Sequence, residues 1–211
     1  MAAVIFDLGG VMTASPVGAI EYSAQRAGVP VETLNGLMAE QDGVWERFET
    51  GELDEAAFVR AFEAQCATQG LAVDAQAFLE HFFSGLTLRP EMLAVADALR
   101  GRYQLGCITN NVQRSTGREP RVHVWEDVFE VVVESSKVGM RKPDPRIYHH
   151  CCTLLGVEPE LCVFLDDFGV NLKAARALGM TTIKVDGTHR AIEELEAVLG
   201  HALPRPGALR S

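Results

Sequence analysis

The chain has 211 residues, 47% of them hydrophobic and 23% charged, so it is long enough to bury a sizeable core as an ordinary soluble globular protein. Its 29 acidic and 19 basic residues give a net charge of −10, which argues against nucleic acid or an anionic membrane as the main partner. There is no N-terminal targeting pattern and no apolar run of bilayer-spanning length, and we therefore expect a cytoplasmic protein.

The first predicted element is a buried strand over Ala3–Phe6 that ends at a carboxylate. Its residues are strand formers, and the pair Gly9-Gly10 breaks the strand soon after Asp7. Asp7 is therefore expected at the carboxyl end of a buried strand, where open α/β sheets bind their ligands. A carboxylate in this place attacks phosphorus or carbon, or holds a metal. The alternative is that Asp7 only caps a turn.

Residues 14–88 lack a convincing strand pattern and are predicted to form several amphipathic helices. The pair Ser15-Pro16 is typical of a helix start, and Pro30, Gly43 and Gly51 interrupt the later helical pattern. An all-helical insertion after the first strand is best interpreted as a small cap over the carboxyl edge of a sheet.

The rest of the chain alternates strand and helix, which predicts a doubly wound parallel sheet with helices on both faces. The domain prediction is an α/β core of residues 1–13 and 89–200, a helical cap of residues 14–88 and a loose tail of residues 201–211. The remaining predicted strands are Gln104–Ile108, Val128–Val133, Cys162–Leu165 and Thr181–Val185. The predicted helices are Glu91–Arg100, Pro145–Leu155, Val170–Leu178 and His189–Leu199.

The five cysteines favour free buried thiols over a disulfide framework or a zinc site. Their number is odd, and most of them lie in apolar surroundings. Cys151 and Cys152 are adjacent in a helical pattern, which is a poor geometry for a disulfide. A reducing compartment fits this usage.

Two later segments place groups suited to phosphate near strand ends. Thr109 and Asn110 follow an apolar run, and a hydroxyl with a free backbone N–H there binds a phosphate oxygen. The alternative is an Asn-rich turn. Lys142 is followed by Pro143, which stiffens the chain, and a rigidly held ammonium neutralises a nucleophilic carboxylate and a phosphoryl group. The alternative is a solvated surface lysine.

The pair Asp166-Asp167 directly follows another predicted strand. Two adjacent carboxylates repel each other unless a divalent cation lies between them and Asp7. The alternative is capping of the helix that follows, but a cap needs one Asp rather than two. We therefore favour a metal site. Glu134-Ser135-Ser136 lies at a further strand end and is a candidate for the wall of the same pocket.

Taken in order, these segments resemble the haloacid dehalogenase superfamily of phosphatases and related hydrolases. The resemblance spans about residues 2–199 and is carried by FDLGGV, ITNN, VGMRKPDPRIY and FLDDFGVNLKAARALGM. It is closest to the phosphatase-like N-terminal domain of soluble epoxide hydrolase and to the similar domain of acyl-CoA dehydrogenase fusion proteins. The fold implied by the resemblance is a Rossmann-like core with an inserted helical cap.

The resemblance also implies the chemistry: a Mg²⁺-dependent hydrolase that acts on a small phosphorylated metabolite. Asp7 is then the nucleophile and a magnesium ligand, together with the Gly9 carbonyl and Asp167. Thr109 and the Asn110 N–H are implied to hold the phosphoryl oxygens. Lys142 is implied to orient the nucleophile and to offset its charge. Asp166 is implied to support the metal site without binding the ion directly. An aspartyl-phosphate on Asp7 would be the intermediate.

Gly9 departs from the family pattern. Family phosphatases usually carry a second Asp there, which protonates the leaving oxygen, and such assistance is worth roughly 10²–10⁴-fold. The chain is then a slow phosphatase, or a phosphatase for a substrate whose leaving group needs little protonation, with a sugar 1-phosphate as a candidate substrate. The alternatives are that it uses another acid, or that it is a catalytically silent phospho-ligand-binding module. A carbon–halogen hydrolase is a further alternative, against which the retained pair Asp166-Asp167 argues.

Trp45 and Arg47 precede a turn at Gly51 that resembles the substrate-reading loop of the family. Arg47 is a candidate to bind a substrate phosphate or carboxylate. The alternative is that Trp45 belongs to the cap core and that Arg47 is a solvated helix residue. The sequence leaves the oligomeric state open.

Overall fold

The computed structural model describes residues 1–15, 17–40, 42–84, 87–112, 125 and 127–204. Five parallel strands form its sheet, in the order β3-β2-β1-β4-β5. The strands are β1 Ala3–Phe6, β2 Gln104–Thr109, β3 Val131–Glu134, β4 Cys162–Asp166 and β5 Thr181–Lys184. The strand order changes direction on either side of β1, so the carboxyl end of β1 lies at the switch point where such sheets bind ligands.

Helices cover both faces of the sheet, as the alternating sequence pattern predicts. Alternate side chains of β1 point into two separate hydrophobic clusters, with Val4 and Phe6 in one and Ala3 and Ile5 in the other. The helices of the sheet domain are α6 Pro90–Leu99, α7 Ser135–Val138, α8 Pro145–Leu155, α9 Gly169–Ala177 and α10 Thr188–Leu199. Helices α6 and α10 contribute to the first cluster, and α8 and α9 contribute to the second.

The strand predictions are correct in position, and one boundary is wrong by several residues. The third strand begins at Val131 rather than at Val128. The N–H groups of Val128 and Phe129 both donate to the Trp125 carbonyl, so these two residues close a turn. Phe129 is buried against Phe6, so its apolar character reflects a buried turn rather than a strand.

Between β1 and α6 the described residues form helices. These are α1 Val17–Ala27, α2 Val31–Met38, α3 Val44–Glu49, α4 Glu55–Thr68 and α5 Ala75–Ser84. They have their own hydrophobic cluster, which is rich in aromatic rings. Pro16, one half of the predicted helix start, lies outside the described residues, and the predicted tail is described only to residue 204.

The chain leaves the sheet domain and returns to it at one place. Thr13 and Leu88 form an antiparallel bridge, and the Ala14 N–H donates to the Thr87 carbonyl at 2.7 Å. The Arg89 N–H donates to the Met12 carbonyl at 2.9 Å. The helical segment is therefore attached through two adjacent chain crossings, only a few residues after Asp7.

Two smaller expectations concern the thiols and the membrane. All five cysteines are free and buried, as their usage predicted, and the Sγ atoms of Cys152 and Cys162 lie 3.8 Å apart. Throughout the described part of the chain, each helix is too short or too polar to cross a bilayer.

Candidate active site

The centre of the site is a buried ion-pair cluster at the carboxyl ends of β1 and β4. Lys142 Nζ lies 2.8 Å from Asp7 Oδ1 and 2.8 Å from Asp166 Oδ2. Lys142 is only 1% exposed, and Asp166 is fully buried. The lysine is thus a fixed internal cation rather than a solvated surface group, as the rigid segment before Pro143 suggested.

The charged groups of the cluster shift one another's pKa values. Burial by itself lowers the pKa of Lys142, but the Asp166 and Asp7 carboxylates outweigh this effect and keep the pKa above its ordinary value. Burial raises the pKa of the Asp7 carboxyl well above its usual range; the Lys142 ammonium opposes the shift, and Asp166 adds to it. The site therefore has an excess of negative charge that Lys142 only partly offsets.

Asp166 uses both of its oxygens within the protein. Oδ1 accepts the Phe168 N–H at 2.7 Å, and the Asn171 side-chain amide donates to both oxygens at 3.1 Å. Oδ2 also accepts from Lys142. This carboxylate is consequently saturated by internal donors, which suits it to orient Lys142 rather than to contact a ligand.

Asp167 has the opposite environment, although it is adjacent in sequence. Its Oδ2 accepts the Ser15 hydroxyl at 3.3 Å, whereas its buried Oδ1 has no hydrogen-bond partner among the described residues. Burial raises the pKa of Asp167 to about 6, with a further contribution from Asp166. A buried carboxylate oxygen without a donor is expected where a cation or water completes the site.

Gly10 leaves room for the Asp167 carboxylate. A Cβ on Gly10 would lie 2.1 Å from Asp167 Oδ2, and the residue has φ +78°, so both space and backbone require glycine here. Gly9 differs, because its φ of −65° and ψ of 126° suit any L-residue. The missing acid at position 9 therefore does not follow from backbone strain.

One oxygen of each of the three carboxylates lies within 4.8 Å of the others. The three residues are Asp7, Asp166 and Asp167, contributed by the ends of two neighbouring strands. An oxygen-rich, net-negative cluster of this kind matches the ligands that Mg²⁺ prefers. The donor set and the unpartnered Asp167 oxygen both fit a divalent cation.

Thr109 and Asn110 lie where the sequence predicts them, at the end of β2 beside β1. Thr109 is buried at the last residue of the strand. The Asn110 side chain brackets Lys142: its Nδ2 donates to the Lys142 carbonyl at 3.0 Å, and the Lys142 N–H donates to its Oδ1 at 2.8 Å. Asn110 thus fixes the backbone of the buried lysine, a role that sequence reasoning missed.

A buried polar network lies at the ends of β2 and β3. The Asn111 N–H donates to Ser135 Oγ at 3.0 Å, and Ser136 Oγ donates to Asn111 Oδ1 at 2.9 Å. Glu134 is also buried; it accepts from the Asn111 side chain and pairs with Lys137. Its two oxygens are therefore occupied by internal donors. That it lines the pocket stays a prediction.

The two candidate specificity residues have different surroundings. Trp45 is buried among four aromatic rings of the helical segment, which supports the alternative that it is a core residue. The Arg47 side chain is 46% exposed, and its Nε lies 3.3 Å from Glu52 Oε2. Arg47 is thus the one of the two that solvent reaches, and its role in substrate binding stays a prediction.

Two further residues of the site carried no distinct signal in the sequence. Asn171 lies five residues after Asp166, so the first turn of α9 returns its amide to that carboxylate. Ser15 reaches Asp167 across 152 positions of the chain. The first contact follows from helix spacing once the helix start is known, whereas the second depends on the path of the chain after β1.

The chain matches the model of the haloacid dehalogenase-like hydrolase family over residues 1–179. It is 37% identical over 211 residues to acyl-CoA dehydrogenase family member 10 of Mus musculus, covering 95% of this chain and 19% of that protein. It is 34% identical to bifunctional epoxide hydrolase 2 of Sus scrofa, covering 98% and 40%. Phosphatase MT3486 of Mycobacterium tuberculosis is 29% identical, covering 97% and 99%. The chain thus spans less than half the length of the first two relatives.

Solved structures share the fold. A haloacid dehalogenase-like hydrolase of Porphyromonas gingivalis superposes with a TM-score of 0.71 at 21% identity, covering 94% of this chain and 98% of its own. A haloacid dehalogenase family enzyme of Bacteroides thetaiotaomicron, solved with magnesium and inorganic phosphate, gives a TM-score of 0.62 at 22% identity, covering 87% and 93%.

The first prediction concerns the buried cation. Lys142→Met removes the ammonium between Asp7 and Asp166 and leaves two buried carboxylates unpaired, which we expect to lower the free energy of unfolding at neutral pH by about 3–5 kcal/mol. Urea unfolding monitored by circular dichroism measures this loss. Lys184→Met is the matched control, because it breaks an exposed pair with Asp186 and is expected to change little. Equal stability of the two variants would contradict the prediction.

Proposed function

Because the chain belongs to the haloacid dehalogenase-like hydrolase family, we propose that it is a magnesium-dependent hydrolase of small phosphate monoesters. The observation that carries the proposal is the contrast between two adjacent carboxylates. Asp166 is saturated by internal donors, whereas a buried oxygen of Asp167 has no partner in the described part of the chain. Such a contrast is expected when one carboxylate supports the site and the other binds a cation. Phosphatase MT3486, similar over nearly the whole of both chains, supports the same reaction class.

Asp7 is the proposed nucleophile. Its Oδ1 accepts the Leu8 N–H at 2.7 Å and lies against Lys142, which leaves Oδ2 as the oxygen that attacks. Thr109 and the Asn110 N–H would bind the phosphoryl oxygens, and Lys142 would offset the charge on both partners. Asp7 and Thr109 come from the carboxyl ends of the neighbouring strands β1 and β2, and Lys142 Nζ reaches Asp7 from the segment before α8.

The reaction proceeds in two steps. Asp7 Oδ2 forms a bond to phosphorus while the bond from phosphorus to the ester oxygen breaks, giving an aspartyl-phosphate and an alkoxide that takes a proton from water. A water molecule then attacks phosphorus, the bond to Asp7 breaks, and phosphate leaves with the carboxylate restored. Gly9 offers no acid for the first step, so esters with good leaving groups are expected to react fastest.

Magnesium would be held by Asp7, Asp167 and the Gly9 carbonyl, with Asp166 supporting the site through Lys142 and Asn171. Bound there, the ion neutralises part of the negative charge of the phosphoryl group and its nucleophile. The excess of carboxylates over ammonium groups in the cluster supports this assignment, because a dianionic ester would otherwise meet a negative site.

We propose that the helical segment, residues 14–88, is a cap that shapes the pocket. Its attachment at Thr13 and Leu88, close to Asp7, supports this role. The substrate would be small, with a sugar 1-phosphate as one candidate. Two apolar side chains shortly after Asp167 are exposed, Phe168 at 46% and Val170 at 57%. They support an ester with an apolar leaving group as a second candidate substrate.

The second prediction tests the reaction class. The test uses a panel of aryl phosphates, sugar 1-phosphates and prenyl phosphates. The wild-type protein is expected to release phosphate from these esters only when Mg²⁺ is present, and Asp7→Asn is expected to reduce this release to background. Free phosphate measured with and without EDTA gives the result. Asp186→Asn, an exposed carboxylate, is the control. Ester binding without turnover would identify a silent binding module, and metal-free halide release from a 2-haloacid would identify a carbon–halogen hydrolase.

The third prediction concerns the metal. Mg²⁺ at 100 times its Kd is expected to raise the free energy of unfolding of the wild type by about 2.7 kcal/mol, because it binds only the folded state. Asp167→Asn removes a ligand charge and is expected to lose most of this gain. Thermal melting across a Mg²⁺ titration measures it without any substrate. Full stabilisation of the Asp167→Asn protein would contradict the assignment.

The fourth prediction concerns the missing acid. Gly9→Asp keeps the backbone carbonyl and adds a carboxyl at a position with an ordinary backbone conformation. We expect kcat for alkyl phosphates to rise, by as much as about 10²–10⁴-fold, and kcat for activated aryl phosphates to change little, because their leaving oxygen hardly needs a proton. A folded variant whose gain does not depend on the leaving group would contradict the proposal that protonation limits turnover.

A further inference from the structure

The last turn of α3 is the part of the helical segment that meets the sheet domain beside Lys142. The Glu49 carbonyl accepts the Ser135 hydroxyl at 2.6 Å. Gly51 lies so close to α7 that a Cβ there would be 2.4 Å from the Ser136 carbonyl oxygen, and its φ is +77°. The hydrogen bond and the close backbone approach fix the end of α3 against the start of α7.

An ion pair reinforces the same contact. Arg141 Nε lies 3.0 Å from Glu49 Oε2, and Arg141 Nη1 lies 3.8 Å from Glu46 Oε2. Glu49 is 7% exposed, and its Oε2 accepts no hydrogen bond from the described residues. Burial raises the pKa of Glu49, and Arg141 opposes that shift most strongly. Arg141 therefore supplies the positive charge that makes this buried carboxylate tolerable.

Arg141 also contacts the backbone that carries Lys142. Its Nε–H donates to the Lys142 carbonyl at 3.3 Å, and the same carbonyl accepts the Asn110 amide at 3.0 Å. From there the side chain of Lys142 extends to Asp7. Contacts thus run without a gap from Glu49, through Arg141 and Lys142, to the proposed nucleophile.

We propose that Arg141 is a positioning residue, which couples the docking of α3 on the sheet domain to the placement of Lys142. When α3 is docked, Glu49 lies against Arg141. The Arg141 guanidinium, paired with this carboxylate, then donates a hydrogen bond to the Lys142 carbonyl. When α3 moves away, Arg141 loses its buried counter-ion, and its hydrogen bond to the Lys142 carbonyl is weakened. Through this contact the helical segment sets how well Asp7 is oriented, a role that rests on the proposed function.

The guanidinium geometry is needed for this role. The Nε atom of Arg141 lies near both the Glu49 carboxylate and the Lys142 carbonyl, and its Nη1 atom lies near Glu46, so the planar guanidinium spans all three groups. A lysine at position 141 keeps the charge but has no such fork. Charge alone is therefore expected to be insufficient.

The test compares Glu49→Gln, Arg141→Lys and the double variant, with Glu194→Gln as a control that breaks an exposed Arg–Glu pair on α10. Each single variant is expected to lower kcat for an aryl phosphate about 10- to 100-fold with little change in KM, because the reacting groups are misplaced rather than absent. The double variant is expected to be no slower than the slower single variant, since both changes break one contact. Unchanged kcat in folded variants, or additive losses, would overturn the inference.

Hydrogen exchange gives a readout that needs no turnover. In Glu49→Gln, peptides covering residues 139–144 are expected to exchange faster, although the substitution lies in the helical segment, while peptides of β5 keep the wild-type rate. Unchanged exchange in residues 139–144 would overturn the inference even for an active enzyme. If the wild type hydrolyses no ester of the panel, the proposed function fails, and the exchange result still decides whether the α3 contact reaches the Lys142 segment.

Discussion

The site depends on the Lys142 ammonium between the carboxylates of two neighbouring strands. Its Nζ lies 2.8 Å from both Asp7 and Asp166, in a place with almost no solvent. Removing three carboxylates and a lysine from water is costly, and internal pairing recovers that cost only with good geometry. The surroundings supply this geometry through Asn110, which fixes the lysine backbone, and Asn171, which fixes Asp166.

Adjacent residues with the same side chain have acquired different environments. Asp166 is the last residue of β4 and accepts from the Phe168 N–H, from Asn171 of α9 and from Lys142, whereas Asp167 lies just beyond the strand. Because the chain turns here, one carboxylate is saturated and the other keeps a buried oxygen free of protein donors in the described structure. The proposed metal site uses this asymmetry, which two identical residues in sequence do not reveal.

The helical segment is joined to the sheet domain by backbone pairing and by side-chain contacts. The two chain crossings lie side by side and pair in a short antiparallel bridge at Thr13 and Leu88. Side-chain contacts also join the two parts: the Ser15 hydroxyl donates to Asp167, and close backbone packing at Gly51 accompanies the buried charge pair of Glu49 and Arg141. These polar contacts contrast with the aromatic core of the segment itself.

Much of this protein followed from the sequence. The alternation of apolar runs with helical patterns was enough to predict a parallel sheet. Because parallel strands share the direction of their carboxyl ends, it also predicted that Asp7, Thr109, Lys142 and the pair Asp166-Asp167 meet at one edge of that sheet. The start of β3 was misjudged, since a buried turn and a buried strand have the same apolar composition.

Only the tertiary structure decided which partners these groups have. The Asn110 side chain had no predicted role, yet this side chain brackets the backbone of Lys142, and Ser15 reaches Asp167 across most of the chain. The pairing of Arg141 with Glu49 joins two segments whose spacing carries no signal. Local sequence fixes periodicity and strand ends, because these depend on neighbouring residues. Contacts between distant segments depend on how the chain returns, which single-residue preferences do not encode.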